Sequence, residues 1–95
     1  MAELNVELVA ADRKVWSGAA REVSAPSADG QIGILAGHTP LLAVLRPGTV
    51  KVSTAPGQTV VEARVSGGFV SVDSNVVTIV VDEIDEAADR ENASA

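Results

Sequence analysis

Apolar and polar residues alternate along most of this chain, and the alternation is broken every few residues by turn formers. Leu4, Val6 and Leu8 alternate with Asn5 and Glu7, Val50 and Val52 with Lys51 and Ser53, and Val61, Ala63 and Val65 with Glu62 and Arg64. A period of two puts successive side chains on opposite faces of an extended backbone, so each run reads as a strand with one buried face. Punctuation comes from Asp12-Arg13-Lys14, Asp29-Gly30, Gly37-His38-Thr39-Pro40, Pro47-Gly48, Pro56-Gly57, Gly67-Gly68 and Asp73-Ser74-Asn75. Nothing before Val81 carries the roughly 3.6-residue period of an amphipathic helix. Closely spaced strands without intervening helices predict an all-β sandwich or barrel and exclude a βαβ fold.

The strands are expected to pair largely as hairpins. The segment opening at Leu4 turns at Asp12-Arg13-Lys14 into residues 15–23, with Gly18 as the bulge. Asp29-Gly30 supplies the positive φ of a tight reversal. Short strands follow over residues 32–35 and Leu41–Leu45, and Pro56-Gly57 turns a second hairpin. Val76–Val81 is almost continuously apolar, which predicts a central strand. Residues 82–95 are acidic and alanine-rich with Ile84 as almost the sole apolar residue, so they can begin a helical turn but not anchor one by burial. They are expected to form a partly helical or disordered tail.

Composition narrows the function. At 95 residues there is room for one domain. Its core must come mainly from Val, Ala, Leu and Ile, because Trp16 and Phe69 are the only aromatics. The absence of cysteine excludes a disulfide scaffold, thiolate metal sites and a cysteine nucleophile. A net charge of −6 argues against nucleic acid or an anionic lipid surface as the main partner. No apolar run approaches the roughly 18 residues of a membrane-spanning helix, and Met1-Ala2-Glu3-Leu4 is no signal sequence, so a soluble chain is expected.

Constellations that could carry chemistry are sparse. His38 is the only histidine, and without cysteine it lacks partners for a metal site or a nucleophilic triad; a loop histidine before a proline is expected at an interface. Residues 33–39 superficially resemble a phosphate-cradling loop, but they are one residue short between glycines and carry His38 where the lysine belongs. The pairs Asp82-Glu83 and Asp85-Glu86 read as a solvated charge run rather than facing catalytic carboxylates. No catalytic, metal-binding or cofactor-binding residue is assigned. Burial is expected for Trp16 and Phe69, and exposure of either beside Leu41 and Leu42 would mark a partner patch.

Four motifs then stand in register: Trp16-Ser17-Gly18, the stretch from Gly30-Gln31-Ile32-Gly33 through Gly37-His38-Thr39-Pro40-Leu41-Leu42, Arg46-Pro47-Gly48, and Ser66-Gly67-Gly68-Phe69. In order and spacing the chain resembles the epsilon subunit of the F-type ATP synthase. That family's pattern reads aromatic-Ser-Gly, Gly-Glu-x-Gly-Ile-x-Pro-Gly-His-x-Pro-Leu-Leu, Lys-Pro-Gly and Ser-Gly-Gly-Phe. The resemblance implies a flattened β-sandwich of about ten short strands over residues 1–82, and an acidic remnant of a helical C-terminal domain over 83–95. It further implies a non-catalytic rotor subunit without a cofactor, peripheral to the cytoplasmic face of a bacterial cell membrane. Its partners would be the gamma subunit and the c-ring, with the alpha/beta hexamer nearby. Asp29, Gly30, Gln31 and Ile32 match the c-ring-facing turn; His38, Pro40, Leu41 and Leu42 match the segment that packs near gamma.

Departures from the pattern are local. Gln31 replaces the usual glutamate and Ala36 the usual proline, which removes a charge and some loop rigidity. Family members that bind ATP carry Ile-Asp-x-x-Arg-Ala; Ile84-Asp85-Glu86-Ala87 begins alike, but Ala88 stands in place of the arginine, followed by Asp89 and Arg90, so nucleotide binding is not expected. Helix-mediated inhibition of ATP hydrolysis is likewise not expected of a chain stopping at Ala95. The competing readings are a free-standing β-sandwich module that binds carbohydrate or extends a partner's sheet, and, behind it, a hydrolase dependent on His38.

Overall fold

The computed structural model describes residues 3–55 and 58–85; the Pro56-Gly57 turn and the tail from residue 86, with Ala88, Asp89 and Arg90, lie outside the described residues. Ten strands follow one another: β1 (Leu4–Ala10), β2 (Arg13–Ala20), β3 (Glu22–Ser27), β4 (Gly30–Leu35), β5 (Leu41–Leu45), β6 (Gly48–Ala55), β7 (Gln58–Val65), β8 (Gly68–Asp73), β9 (Val76–Val81) and β10 (Ile84–Asp85). They form one continuous sheet in the order β10-β7-β6-β3-β5-β8-β9-β1-β2, with β4 paired to β3 beside this path. The sheet folds over on itself into a nearly closed sandwich.

Strand β3 makes that fold-over possible. Its first half, Glu22 to Ser24, pairs with β6, whereas Ser27 at its end pairs with Leu45 of β5. The switch is reinforced where the Arg46 amide donates to the Pro26 carbonyl and the Ala28 amide to that of Val44. Pro26 has no N–H to give to a ladder, so it suits a strand that is changing partners.

The core fills the space between the layers. Leu4, Val6 and Leu8 of β1, Val70 and Val72 of β8, and Val77, Ile79 and Val81 of β9 face Val23, Ile34, Val50, Val52 and Ala63, all essentially inaccessible. Period-two alternation does this directly: β1 throughout, and β7 from Val61 onward, bury every second residue. The hairpins β1–β2 and β6–β7, the strand Leu41–Leu45, and β9 between β8 and β1 all match the sequence reading.

Two elements differ from it. The irregularity in the first hairpin lies opposite Leu8 and Val9, where Leu8 pairs with Trp16 and Val9 with Lys14, so Val15 is the extra residue and Gly18 pairs regularly with Val6. Gly18 instead makes room for an aromatic ring, since a Cβ there would sit 3.0 Å from the Trp16 indole. Beyond β9, Ile84 and Asp85 extend rather than turn helically, pairing with Val65 and Arg64 of β7. Ile84 packs against the core and the Asp82 amide donates to the Gly67 carbonyl, so edge pairing plus one apolar anchor holds this segment extended.

Gly68 opens β8 at φ 143°, and a Cβ there would overlap the Val80 carbonyl oxygen and lie 2.8 Å from the Val81 Cα. Backbone cannot yield as a side chain can, so Gly68→Ala should destabilise the fold by at least about 3 kcal/mol in urea unfolding. Gly33→Ala, whose Cβ would meet only the Glu22 carboxylate at 3.5 Å, should stay within about 0.5 kcal/mol of the parent.

Candidate functional site

The sandwich has two unlike outer faces, and the register of its ladders determines both. Val44 pairs with Phe69, Phe69 with Val80, and Val80 with Val9, so four strands place an apolar side chain in one row across the outer face. At a strand spacing of about 4.8 Å the row is about 14 Å long. Lys14 of β2 ends it and reaches back to Glu7 at 3.4 Å, an exposed pair worth at most about 1 kcal/mol. Leu42, two residues before Val44, widens the patch. Leu42 is 73% exposed, Val44 66% and Phe69 44%.

The opposite outer face is mostly polar, although Leu35 of β4 and Val60 of β7 are also exposed there. Along β6 and β7, Lys51 stands opposite Glu62 and Thr49 opposite Arg64, while Val50, Val52, Ala63 and Val65 turn inward. Only the first face aligns its exposed apolar side chains in a contiguous row across four strands, which marks it as the one from which a partner would exclude water.

Phe69 therefore departs from the burial expected of it. It lies on the outer side of β8, between the inward pair Val70 and Val72 and the glycine step at 67–68, beside Val44 and diagonal to Leu42. Trp16 is half-buried and packs against the core, as expected.

The residues assigned from the family resemblance fall into two groups at opposite ends of β4, about 17 Å apart at the rise of an extended chain. Asp29, Gly30 and Gln31 are exposed at the β3–β4 turn, whereas Ile32 packs against the core. Ser27, 5% exposed, organises this turn: its hydroxyl donates to the Gly30 carbonyl at 2.7 Å and accepts from the Asp29 amide at 3.3 Å. The Gln31 amide nitrogen donates to the Ser24 hydroxyl at 2.6 Å, which holds that side chain along the hairpin.

At the other end, His38 and Pro40 lie in the loop leading into β5. Leu41 faces the core, and Leu42, on the alternate side of the strand, joins the apolar row. The His38 Nδ1 lies 2.7 Å from the Thr39 carbonyl oxygen; a carbonyl only accepts, so Nδ1 is the donor in this contact. That bond occupies the nitrogen a catalytic triad would commit to an acidic side chain. Among the described residues no group of three or more His, Asp or Glu side chains is gathered as a metal site, and no helix is long and apolar enough to cross a membrane.

Val9, Val44 and Val80 escaped the sequence reading, which named Phe69 as a marker of a partner patch only if it were exposed. For Val44 and Val80 the signal was present in the continuous apolar runs Leu41–Leu45 and Val76–Val81, since a strand apolar at every position has two faces to cover.

A small all-β sandwich with an apolar row across one outer face is thus the class of domain that the fold and its surface define. The model of the family described as ATP synthase, Delta/Epsilon chain, beta-sandwich domain matches residues 3–87, and the chain belongs to that family. It is 58% identical over 79 residues to the ATP synthase epsilon chain of Micrococcus luteus, covering 83% of this chain and 86% of the relative. Against the epsilon chain of Streptomyces avermitilis it is 52% identical over 92 residues, covering 97% and 73% respectively.

Solved structures agree. A chain in the cryo-EM structure of the Euglena gracilis mitochondrial ATP synthase, OSCP/F1/c-ring in rotational state 1, superposes with a TM-score of 0.83 at 26% identity, over 99% of this chain and 61% of that one. One in the central stalk/c-ring structure of the Tetrahymena thermophila mitochondrial ATP synthase gives 0.74 at 22% identity, over 87% and 66%, a likeness of fold.

Ser27 is buried, so Ser27→Ala leaves the Asp29 amide and Gly30 carbonyl without their partner. The expected loss is about 1–2 kcal/mol in urea unfolding, with the largest amide shifts in the protein's NMR spectrum at residues 28–31.

Proposed function

We propose that this chain is the head of a rotor subunit of a bacterial F-type ATP synthase, clamping the gamma subunit and the c-ring together so that proton translocation is coupled to ATP synthesis. It catalyses no reaction itself and works by stiffness and shape. The apolar row of Val9, Val44, Phe69 and Val80, widened by Leu42, carries this reading: it is the surface suited to gamma. Removing apolar surface from water stabilises a contact by about 25 cal/mol per Å², and a flat row on paired strands loses little conformational freedom on docking.

The Asp29-Gly30-Gln31 turn, at the far end of β4, is assigned to the polar loops of the c-ring. The turn adjoins the row, since the Ala28 amide donates to the Val44 carbonyl at 3.2 Å, so in this reading both contacts sit on one rigid body. The alpha/beta hexamer is a neighbour in this reading, and the chain is peripheral to the cytoplasmic face of the membrane through its partners, with no part inserted. The epsilon-chain names of the relatives and the F1/c-ring setting of the Euglena neighbour support the assignment.

The test is the affinity of the purified chain for its cognate gamma subunit. Leu42→Ser combined with Val44→Ser should weaken binding about tenfold or more and leave the unfolding midpoint nearly unchanged, because both side chains are exposed in the free chain. Glu62→Ala on the polar face should bind as the parent does. Equal affinity for all three proteins would refute the assignment of the apolar row to gamma.

A further inference from the structure

The loop that leads into β5 has a tie that its own sequence does not supply. It leaves β4, which pairs only with β3, and must bring the chain to β5 in the other part of the sheet. Within the loop the His38 amide donates to the Leu35 carbonyl at 3.1 Å, a local turn. The Gly37 amide instead donates to Asn75 Oδ1 at 2.7 Å, across 38 residues of sequence.

Asn75 is fixed from both sides. It occupies the β8–β9 turn with Ser74, both at positive φ (52° and 65°), the conformation of a two-residue hairpin turn that favours Asn and Gly. Its carbonyl accepts from the Asn5 amide at 2.8 Å, which joins the turn to the start of β1. The atom facing Gly37 must be the amide oxygen, because an N–H can only donate to an acceptor. One residue thus links β1, the β8–β9 turn and the loop containing His38 and Pro40.

We infer that Asn75 is a positioning residue: its side chain latches the loop of residues 36–40 in the conformation that meets the partner docked on the apolar row. This rests on the reading of that row as the gamma-binding face. The latch is well suited to positioning and poorly suited to global stability. The Gly37 amide is exposed, so water replaces Asn75 Oδ1 when the side chain is removed, and the fold loses little. The loop, in contrast, loses this hydrogen bond to the β8–β9 side of the sheet, and its orientation relative to Leu42 and Val44 is no longer held.

Asn75→Gly keeps the positive φ and deletes the acceptor, whereas Asn75→Asp keeps both an acceptor oxygen and tolerance of that φ. In Asn75→Gly, hydrogen exchange at the Gly37 amide should speed up about fivefold or more, affinity for the gamma subunit should fall about five- to tenfold, and the unfolding midpoint should stay close to the parent's. Asn75→Asp should restore both slow exchange and affinity. Unchanged Gly37 exchange in Asn75→Gly, unchanged affinity despite faster exchange, or a loss of affinity in Asn75→Asp as large as in Asn75→Gly would each overturn the inference. Measured alongside, the Leu42→Ser/Val44→Ser protein separates the two claims. If it binds gamma normally while Asn75→Gly does not, the assignment of the row fails and Asn75 positions a loop that meets gamma by another face; if the reverse, the row stands and the latch fails.

Discussion

The register of four neighbouring strands, β5, β8, β9 and β1, governs both the inside and the outside of this domain. Because side chains alternate along each strand, a slip of one residue in any of the three ladders would exchange core and surface. In the observed register Val70, Ile79 and Leu8 face inward, while Phe69, Val80 and Val9 align outward with Val44. The core and the candidate docking row are therefore two consequences of one set of hydrogen bonds. A sequence that specifies the first has already specified the geometry of the second.

The turns and glycines hold that register. Gly68 lets β8 approach the Val80 carbonyl more closely than any residue with a Cβ could. Ser74 and Asn75 set the β8–β9 hairpin at its other end through their positive φ, and Ser27 closes the β3–β4 turn from inside. Gly18 lies beneath the Trp16 ring. Motifs that resemble a family signature in sequence thus have separate mechanical causes in the structure: a close backbone approach, a ring contact and a hydrogen-bonded turn.

Most of the fold was legible in the sequence because alternation and punctuation agree with each other. The segments with the cleanest period two, at Leu4, Val50 and Val61, became strands β1, β6 and β7, in which those apolar residues are buried. What escaped was whatever depends on which strand lies next to which. Nothing local indicates that Val44, Phe69, Val80 and Val9 share a row, since their neighbours come from distant parts of the chain and one of the three ladders is parallel. Phe69 was expected inside on hydrophobicity alone, and pairing with Val44 puts it outside. Likewise the bulge belongs at Val15 because of its cross-strand partners, and Ile84 extends because β7 offers it an edge. Family resemblance located the turn at 29–32 and the loop at 38–42, but not that Ile32 and Leu41 are committed to the core.

The central claim is that one outer face, and not the other, receives the partner. Amide chemical-shift mapping of the isotopically labelled full chain, with and without its cognate gamma subunit, tests it directly. The account predicts that the largest changes fall on Val9, Leu42, Val44, Phe69 and Val80 and on the loop from Gly37 to Thr39, with Thr49, Lys51, Glu62 and Arg64 unmoved. Changes concentrated on those four polar-face residues, with the apolar row left as it was, would contradict it.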